Sequence, residues 1–220
     1  MSDGFTDLIG RSNQFFAGLQ DNNRKDWYEP RKEHYVSEIK NPAALLAELL
    51  AEDLHRLTGQ AHKPKLFRIY RDVRFSLDKT PYNAHLHLMW RQPANNTPVW
   101  FFGSSPEYLI LGMGMMGLKG AALTRFRDFI DDHGTELQSA LATAATTAGA
   151  SISDWGPAPL KRVPKPYASD HPQADLLKRK SLTISASLPE NWADTGLVAA
   201  IQSTMSGLLP LWTLFDRELA

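Results

Sequence analysis

Cysteine is absent from this chain of 220 residues, which excludes disulfide bonds, thiol nucleophiles and thiolate metal ligands. The sequence also lacks any run of about 18 uninterrupted apolar residues, the length needed to cross a bilayer. Residues 1–10 contain acidic side chains and no apolar signal core. From these absences we expect a cytoplasmic protein that makes no contact with a membrane.

The chain also has no net charge, since 24 basic side chains balance 24 acidic ones. A domain that binds duplex nucleic acid is usually basic over its whole surface, so the balance disfavours that class of protein. What remains is an ordinary globular composition, 43% hydrophobic and 22% charged. A chain of this length can bury one substantial core, and we expect a single domain over residues 1–220.

The hydrophobic pattern changes period along the chain, which predicts the fold class. Apolar residues have helical spacing in the first 60 residues, in 118–148 and near the C-terminus, and they alternate in the middle and again in 181–188. We expect helices capped at Ser12, following Asn23, running from Pro42 to Gly59, and ending the chain from about Asp194 to Glu218. Helices, then strands, then helices flanking one more strand indicate an α+β fold. The predicted architecture is an antiparallel sheet packed with N-terminal, central and C-terminal helices.

Positive charge is concentrated in two segments despite the neutral total. Residues 61–91 carry a net charge of +5, residues 159–181 carry +4, and the rest of the chain carries −9. Like charges that meet in space ordinarily need an anion between them. The distribution favours a local anion pocket over an extended nucleic-acid surface, and the convergence of the two segments is a prediction.

The first basic segment, read as an extended strand over 66–75, places Arg71 on an otherwise apolar face. An unpaired cation pointing toward a core is costly, so Arg71 needs a carboxylate or a ligand. One interpretation is an internal ion-pair network in which Asp72 and Asp78 neutralise neighbouring arginines. The other is a bound phosphate or carboxylate, whose geometry matches the arginine fork.

Several motifs together resemble a known family. They are Phe67-Arg68-Ile69-Tyr70-Arg71-Asp72-Val73-Arg74-Phe75-Ser76, Asp78-Lys79-Thr80-Pro81-Tyr82, Asn22-Asn23-Arg24 with Trp27, Pro164-Lys165 with Tyr167, Asp170-His171-Pro172 and Leu176-Leu177-Lys178-Arg179-Lys180. The chain is similar over nearly its whole length to the domain of unknown function 2461 family. The resemblance implies a single α+β domain and carries no mechanism with it. Asn83, Pro166 and Ala168 depart from the family pattern.

Three further motifs each have a structural and a functional interpretation. Residues 112–117 have the spacing G-x-G-x-x-G, but the antiparallel context favours a structural turn over a dinucleotide site. His85 and His87 share one strand face, which is workable but weak evidence for a metal pair. Asp170-His171-Pro172 is typical of a helix start, and His171 could alternatively transfer a proton.

These observations predict a basic pocket that binds a small phosphorylated or carboxylated ligand, without cofactor or metal. The predicted ligand-binding residues are Arg68, Tyr70, Arg71, Arg74, Lys79, Tyr82, Lys165, Lys178 and Arg179. If the protein is an enzyme, His171 or Asp72 would move the proton. The alternatives are a non-catalytic module that binds nucleic acid or a protein, and arginines used only in structural ion pairs.

Overall fold

The computed structural model describes residues 4–93 and 98–219, within which the chain forms eight α-helices and six strands. The α-helices are α1 (Thr6–Asp21), α2 (Lys25–Tyr28), α3 (Lys32–Tyr35), α4 (Asn41–Thr58), α5 (Gly120–Ala148), α6 (Ala174–Leu177), α7 (Trp192–Thr195) and α8 (Leu197–Leu219). The strands are β1 (Lys63–Leu66), β2 (Leu86–Arg91), β3 (Val99–Ser105), β4 (Tyr108–Met115), β5 (Ser151–Ile152) and β6 (Leu182–Ser187).

All six strands form one antiparallel sheet in the order β1-β2-β3-β4-β6-β5. The first four strands are neighbours in chain order, which is a meander, and β6 then pairs with β4 on one side and β5 on the other. Ser151 pairs with Ser185 and Ile152 with Ile184 at the β5 edge. The predicted α+β class is therefore confirmed.

Residue contacts divide the chain into two compact units. The first comprises residues 1–90, 101–110 and 187–202, and the second comprises residues 91–100, 111–186 and 203–220. The boundary of one domain over 1–220 stays a prediction.

A nearly unbroken helical run from Lys25 to Thr58 dominates the first unit. Two turns within it are not α-helical: Glu29–Arg31 is a 3₁₀ turn and Val36–Lys40 is a π turn. The run ends as predicted at Gly59, whose φ of +73° is one that glycine adopts without steric cost. Its apolar residues face the core of the unit, where Leu46, Leu50 and Leu54 are fully buried.

The predicted start of the first helix at Ser12 is wrong. Helix α1 begins at Thr6, and Ser12 is buried inside it, where its hydroxyl donates a hydrogen bond to the Ile9 carbonyl at 3.0 Å. The apolar face extends one turn earlier than expected, through the buried Leu8 and Ile9. That extra turn of buried surface stabilises the earlier helix start.

The second unit contains the predicted break in the central helix. Helix α5 has non-helical dihedral angles at His133 (φ −117°, ψ 19°), next to Gly134. Near the C-terminus, α8 is long and apolar enough to cross a membrane by length and composition. Its aromatic residues nonetheless pack as in a core helix, with the Trp212 ring stacked on Trp100 at 5.1 Å.

The glycine motif of residues 112–117 belongs largely to strand β4, which continues to Met115, rather than to a turn as expected. A Cβ placed on Gly114 would lie 2.2 Å from the carbonyl oxygen of Leu182. Gly114 is therefore required by close strand packing, which is the structural interpretation of the motif.

Candidate functional site

The chain leaves β1 and continues in extended form only as far as Arg71. There Asn83 donates its backbone N–H to the Ile69 carbonyl at 2.7 Å, and Arg71 donates to the Pro81 carbonyl at 2.9 Å. Beyond this point the chain turns back on itself, so the expected strand over 66–75 is wrong in its second half. Phe75, which we expected on a buried face, is 97% exposed.

Arg71 obtains its carboxylate partner inside this turn. Its guanidinium donates to Asp78 Oδ2 at 2.5 Å, to the Thr80 carbonyl at 3.2 Å and to the Thr80 hydroxyl. Asp78 also accepts the Thr80 backbone N–H at 2.9 Å. That backbone bond, followed by the Arg71 and Thr80 side chains, lowers the pKa of Asp78 to about 2.

The remaining charges of the turn are also bonded within it. Arg74 binds both carboxylate oxygens of Asp72, with Nε at 2.9 Å from Oδ1 and Nη2 at 2.7 Å from Oδ2. These hydrogen bonds lower the pKa of the exposed Asp72 carboxyl, which makes it a weak base. Lys79 donates to the Val73 carbonyl at 2.9 Å. For Arg71 and Arg74 the geometry is that of the structural ion-pair interpretation.

A cavity of about 440 Å³ lies beside the segment that precedes the turn. Its walls combine aromatic, aliphatic and cationic side chains: Tyr28, Lys32, Tyr35, Val36, Lys40, Ala44, Leu66, Phe67, Arg68, Ile69 and Tyr70. A volume of this size is within the range of small-molecule sites. Of the residues predicted from sequence to bind a ligand, Arg68 and Tyr70 line it.

The helical wall of the cavity is a row of residues four positions apart, from Lys32 through Val36 and Lys40 to Ala44. In a regular α-helix each step of four residues overshoots a full turn by about 40°, so such a row drifts around the helix. The π turn at Val36–Lys40 has more residues per turn and opposes the drift. It thereby keeps Lys32 and Lys40 on the face that borders the cavity.

The three cations that line the cavity differ from those in the turn. Within the described part of the chain, neither Lys32, Lys40 nor Arg68 has a carboxylate within salt-bridge distance. Arg68 helps to lower the pKa of Asp72, more weakly than Arg74 does. The cavity therefore carries positive charge that its own neighbours do not pair.

Tyrosine hydroxyls supply neutral hydrogen-bond donors at the same cavity. Burial is the main cause that raises the pKa of Tyr35 to about 12, and it likewise raises the pKa of Tyr28, which is hydrogen-bonded to Tyr70. Tyr35 is only 4% exposed, and among the described residues its hydroxyl has no hydrogen-bond partner. It is thus a protonated donor that a ligand in the cavity could use.

Tyr82, another predicted ligand-binding residue, supports the cavity wall. It is 3% exposed, and its ring centroid lies 4.4 Å from that of Tyr28. Asn23 fixes its backbone from both sides, accepting the Tyr82 N–H at 3.1 Å and donating to the Tyr82 carbonyl at 2.8 Å. Tyr82 therefore positions Tyr28 and does not itself line the cavity.

His85 and His87 form a stacked pair, with ring centroids 3.8 Å apart and planes at 21°. The Nε2 atom of His87 lies 2.7 Å from the Tyr108 hydroxyl. Burial, followed by the neighbouring His85, lowers the pKa of His87 to about 4. Within the described residues no group of three or more His, Asp or Glu is placed to hold a metal ion.

His171 uses both ring nitrogens within the second unit. Nδ1 accepts the Gln173 backbone N–H at 2.9 Å, just before α6, and Nε2 lies 2.9 Å from Asp131 Oδ1. Because Nδ1 accepts a hydrogen bond, the proton belongs on Nε2, which donates to the carboxylate. These bonds hold the turn that precedes α6, which begins at Ala174 and not at the predicted helix start, and proton transfer would require breaking one of them.

The other predicted residues of the second basic segment lie in the second unit. Lys178 donates to Asp175 at 2.8 Å, Lys165 is exposed at a cis Lys165–Pro166 peptide, and Arg179 is half-buried. A cavity of about 260 Å³ in this unit is bordered by Pro172 and Gln173 but by none of these cations. The convergence of the two basic segments stays a prediction.

Sequence reasoning missed four of the residues that line the larger cavity. Tyr28, Lys32, Tyr35 and Lys40 belong to a helix whose apolar residues were assigned to the core. The available signal was the spacing of Lys32 and Lys40, eight residues apart on one helix with Tyr35 between them. The π turn aligns these residues more closely than a regular helix would, and the sequence pattern does not indicate that turn.

Comparison with known proteins gives the family. A family described as conserved hypothetical protein (DUF2461) matches residues 11–213. The chain belongs to the DUF2461 family. No curated protein matches the sequence. In this DUF2461 protein the matched range includes the whole helical run, the turn after Arg71 and all residues that line the larger cavity, so the resemblance noted from the motifs is confirmed.

Proposed function

We propose that the protein binds a small anionic ligand, phosphorylated or carboxylated, in the cavity between the helical run and the segment after β1. One observation carries the proposal: Lys32, Lys40 and Arg68 surround a single cavity, and none of them has a carboxylate partner in the described chain. An anion in the cavity would be attracted by all three positive charges, and no carboxylate competes for them within salt-bridge distance.

The hydrogen-bonding groups support the same function. Arg68 offers a planar fork suited to phosphate or carboxylate, and the two lysines offer charge on flexible stems. The neutral Tyr35 hydroxyl adds a donor with no competing partner among the described residues. A ligand bound there would accept hydrogen bonds from the Tyr35 hydroxyl and from the exposed cations, and a few placed polar groups of this kind fix a ligand's orientation.

The first test is a thermal-shift screen of phosphorylated and carboxylated small molecules, followed by calorimetric titration with phenyl phosphate. A ligand at about 100 times its Kd stabilises by about 2.7 kcal/mol, which for this size of chain raises Tm by about 5 to 11 °C. Replacing Arg68 or Lys40 with alanine removes a charge-assisted hydrogen bond and is expected to weaken binding about tenfold.

Matched controls are available for both residue types. Lys25→Ala and Arg162→Ala remove exposed cations that do not line the cavity, and binding should then change less than twofold. Equal losses in the cavity variants and the controls would show that any affinity comes from general electrostatic attraction. No shift with any anion would contradict the proposal.

A second candidate function has its own observation. Phe75 and Leu77 are 97% and 102% exposed at the tip of the turn, between Arg74 and Lys79. Exposed aromatic rings flanked by cations are used to bind single-stranded nucleic acid through base stacking. Fluorescence anisotropy with a labelled oligonucleotide tests it: affinity should fall steeply with salt and drop about tenfold in Phe75→Ala. Equal affinity of wild type and Phe75→Ala would exclude this role for the tip.

A further inference from the structure

The apolar walls of the cavity indicate the chemistry of the uncharged part of the ligand, its body. This inference rests on the proposed function. Eight of the eleven lining residues are aliphatic or aromatic. Among the described lining residues, charge is carried by Lys32, Lys40 and Arg68. A compact polar metabolite such as a sugar phosphate has several hydroxyl groups. The tyrosine hydroxyls could bond only some of them, and the others would face apolar walls without partners, which is unfavourable.

We propose that the ligand is amphiphilic: an anionic group held by Lys32, Lys40 and Arg68, joined to an apolar body that packs against the aliphatic and aromatic walls. Phe67 is central to this packing. Phe67 lines the cavity and is 40% exposed, so the protein alone does not cover it. Lys65 lies over its ring at 4.6 Å, and the His87 ring lies edge-on to it at 6.4 Å.

Tyrosine residues extend the apolar surface while keeping polar ends. Tyr70 also lines the cavity and is 41% exposed, while Tyr28 and Tyr35 are nearly buried beside it. The rings of Tyr28 and Tyr70 meet edge to face, 5.8 Å apart at 81°. Val36 and Ala44 on the helical wall complete a surface that suits a hydrocarbon chain or an aromatic ring equally well. Titration with an aliphatic and an aromatic series of carboxylates distinguishes these two kinds of ligand body.

Calorimetric titration with two series of carboxylates tests the inference, using butanoate, hexanoate and octanoate in one arm and benzoate and 2-naphthoate in the other. Burying each additional methylene group is expected to tighten binding by up to about fourfold. Inorganic phosphate and glycerol 3-phosphate serve as probes that carry the charge without an apolar body, and we expect at least tenfold weaker binding for them.

Substitutions distinguish the contribution of the ligand's apolar body to affinity from that of its charged group. Phe67→Ala should weaken octanoate or 2-naphthoate at least fivefold and leave inorganic phosphate unchanged. Phe75→Ala is the matched control, because it removes an exposed ring of the same segment that does not line the cavity. It should change neither probe. Circular dichroism at the titration temperature confirms that each variant is folded.

The outcomes distinguish this inference from the proposed function. Anions that bind with dependence on Lys40 and Arg68, but with no gain along either series, would overturn the amphiphile and leave the anion site standing. Carboxylates that bind with a chain-length gain but with no loss in Lys40→Ala or Arg68→Ala would overturn the anion site. A gain along only one series assigns the body as aliphatic or aromatic.

Discussion

Acidification should destabilise the protein through the stacked histidines, in a pH range set by the pKa of His87. His87 is charged only with difficulty in the folded state, because its ring is largely buried and stacked on His85 at 3.8 Å. Its pKa is about 4 when folded, against 6.5 for a free histidine. As pH falls from 6.5, the unfolded chain therefore takes up a proton that the folded protein does not.

The sign and the size of the effect follow from this difference. Because the unfolded state binds more protons between pH 6.5 and pH 4, the free energy of unfolding falls as pH is lowered through that range. A gap of 6.5 to about 4 corresponds to a loss of about 3 kcal/mol below pH 4. His85, whose pKa is also lowered by burial, acts in the same direction. The Asp78 carboxyl titrates lower, from 3.8 when unfolded to about 2 when folded, so its loss follows at more acidic pH.

Urea unfolding of the wild type and of His87→Gln at pH 7.0, 6.0, 5.0 and 4.5 measures the effect. Glutamine places a nitrogen near Nε2, keeps the hydrogen bond to Tyr108 within reach and cannot be protonated. We expect most of the acid-dependent loss above pH 4.5 to disappear in His87→Gln and to persist in His34→Gln, which replaces an exposed histidine. Identical pH profiles for wild type and His87→Gln would refute the reasoning.

We also predict the effects of three further substitutions. Arg71→Ala removes the hydrogen bonds donated to Thr80 and should lower the free energy of unfolding by about 1 kcal/mol. The affinity for phenyl phosphate, measured by calorimetry, should stay within twofold, and a tenfold loss would place Arg71 in the site. Gly114→Ala forces a Cβ to within 2.2 Å of the Leu182 carbonyl and should cost more than about 3 kcal/mol in urea unfolding; a wild-type midpoint would mean that the strands separate easily. Phe75→Ser alters a side chain that is 97% exposed, so Tm measured by calorimetry should change by no more than about 1 to 2 °C; a larger drop would mean that the ring contributes to the fold.

Much of the fold could be predicted from the sequence because burial follows a simple period. Leu46, Leu50 and Leu54 have helical spacing and are buried as expected, and Gly59 ends the helix with a positive φ. Alternation also located β2, where Leu86 and Leu88 are buried. In these elements one face of a regular helix or strand packs against the core, so the hydrophobic pattern is sufficient to predict the element.

The prediction failed where local bonds override the hydrophobic pattern. Phe75 continues the alternation that begins at Phe67, yet the chain reverses after Arg71 because Asp78 and Thr80 bind the guanidinium. The carboxylates and the arginines were identified correctly as potential partners. Their pairing inside one turn depends on a backbone reversal that alternation cannot show.

Only one wall of the candidate cavity could be predicted from the sequence. Arg68 and Tyr70 were among the predicted ligand-binding residues and line the cavity. Lys32 and Lys40 were missed, because their shared face results from a π turn at Val36–Lys40 inside an otherwise regular helix. At 3.6 residues per turn, residues eight positions apart lie about 80° apart around the helix, so the regular pattern does not align them.

The most direct test of the central claim is a crystal structure of the protein grown with octanoate. We expect a carboxylate within about 4 Å of two or more of Lys32, Lys40 and Arg68, with the hydrocarbon chain against Phe67 and Val36. An empty cavity, with octanoate bound instead at Arg71, Arg74 and Lys79 in the turn, would contradict it.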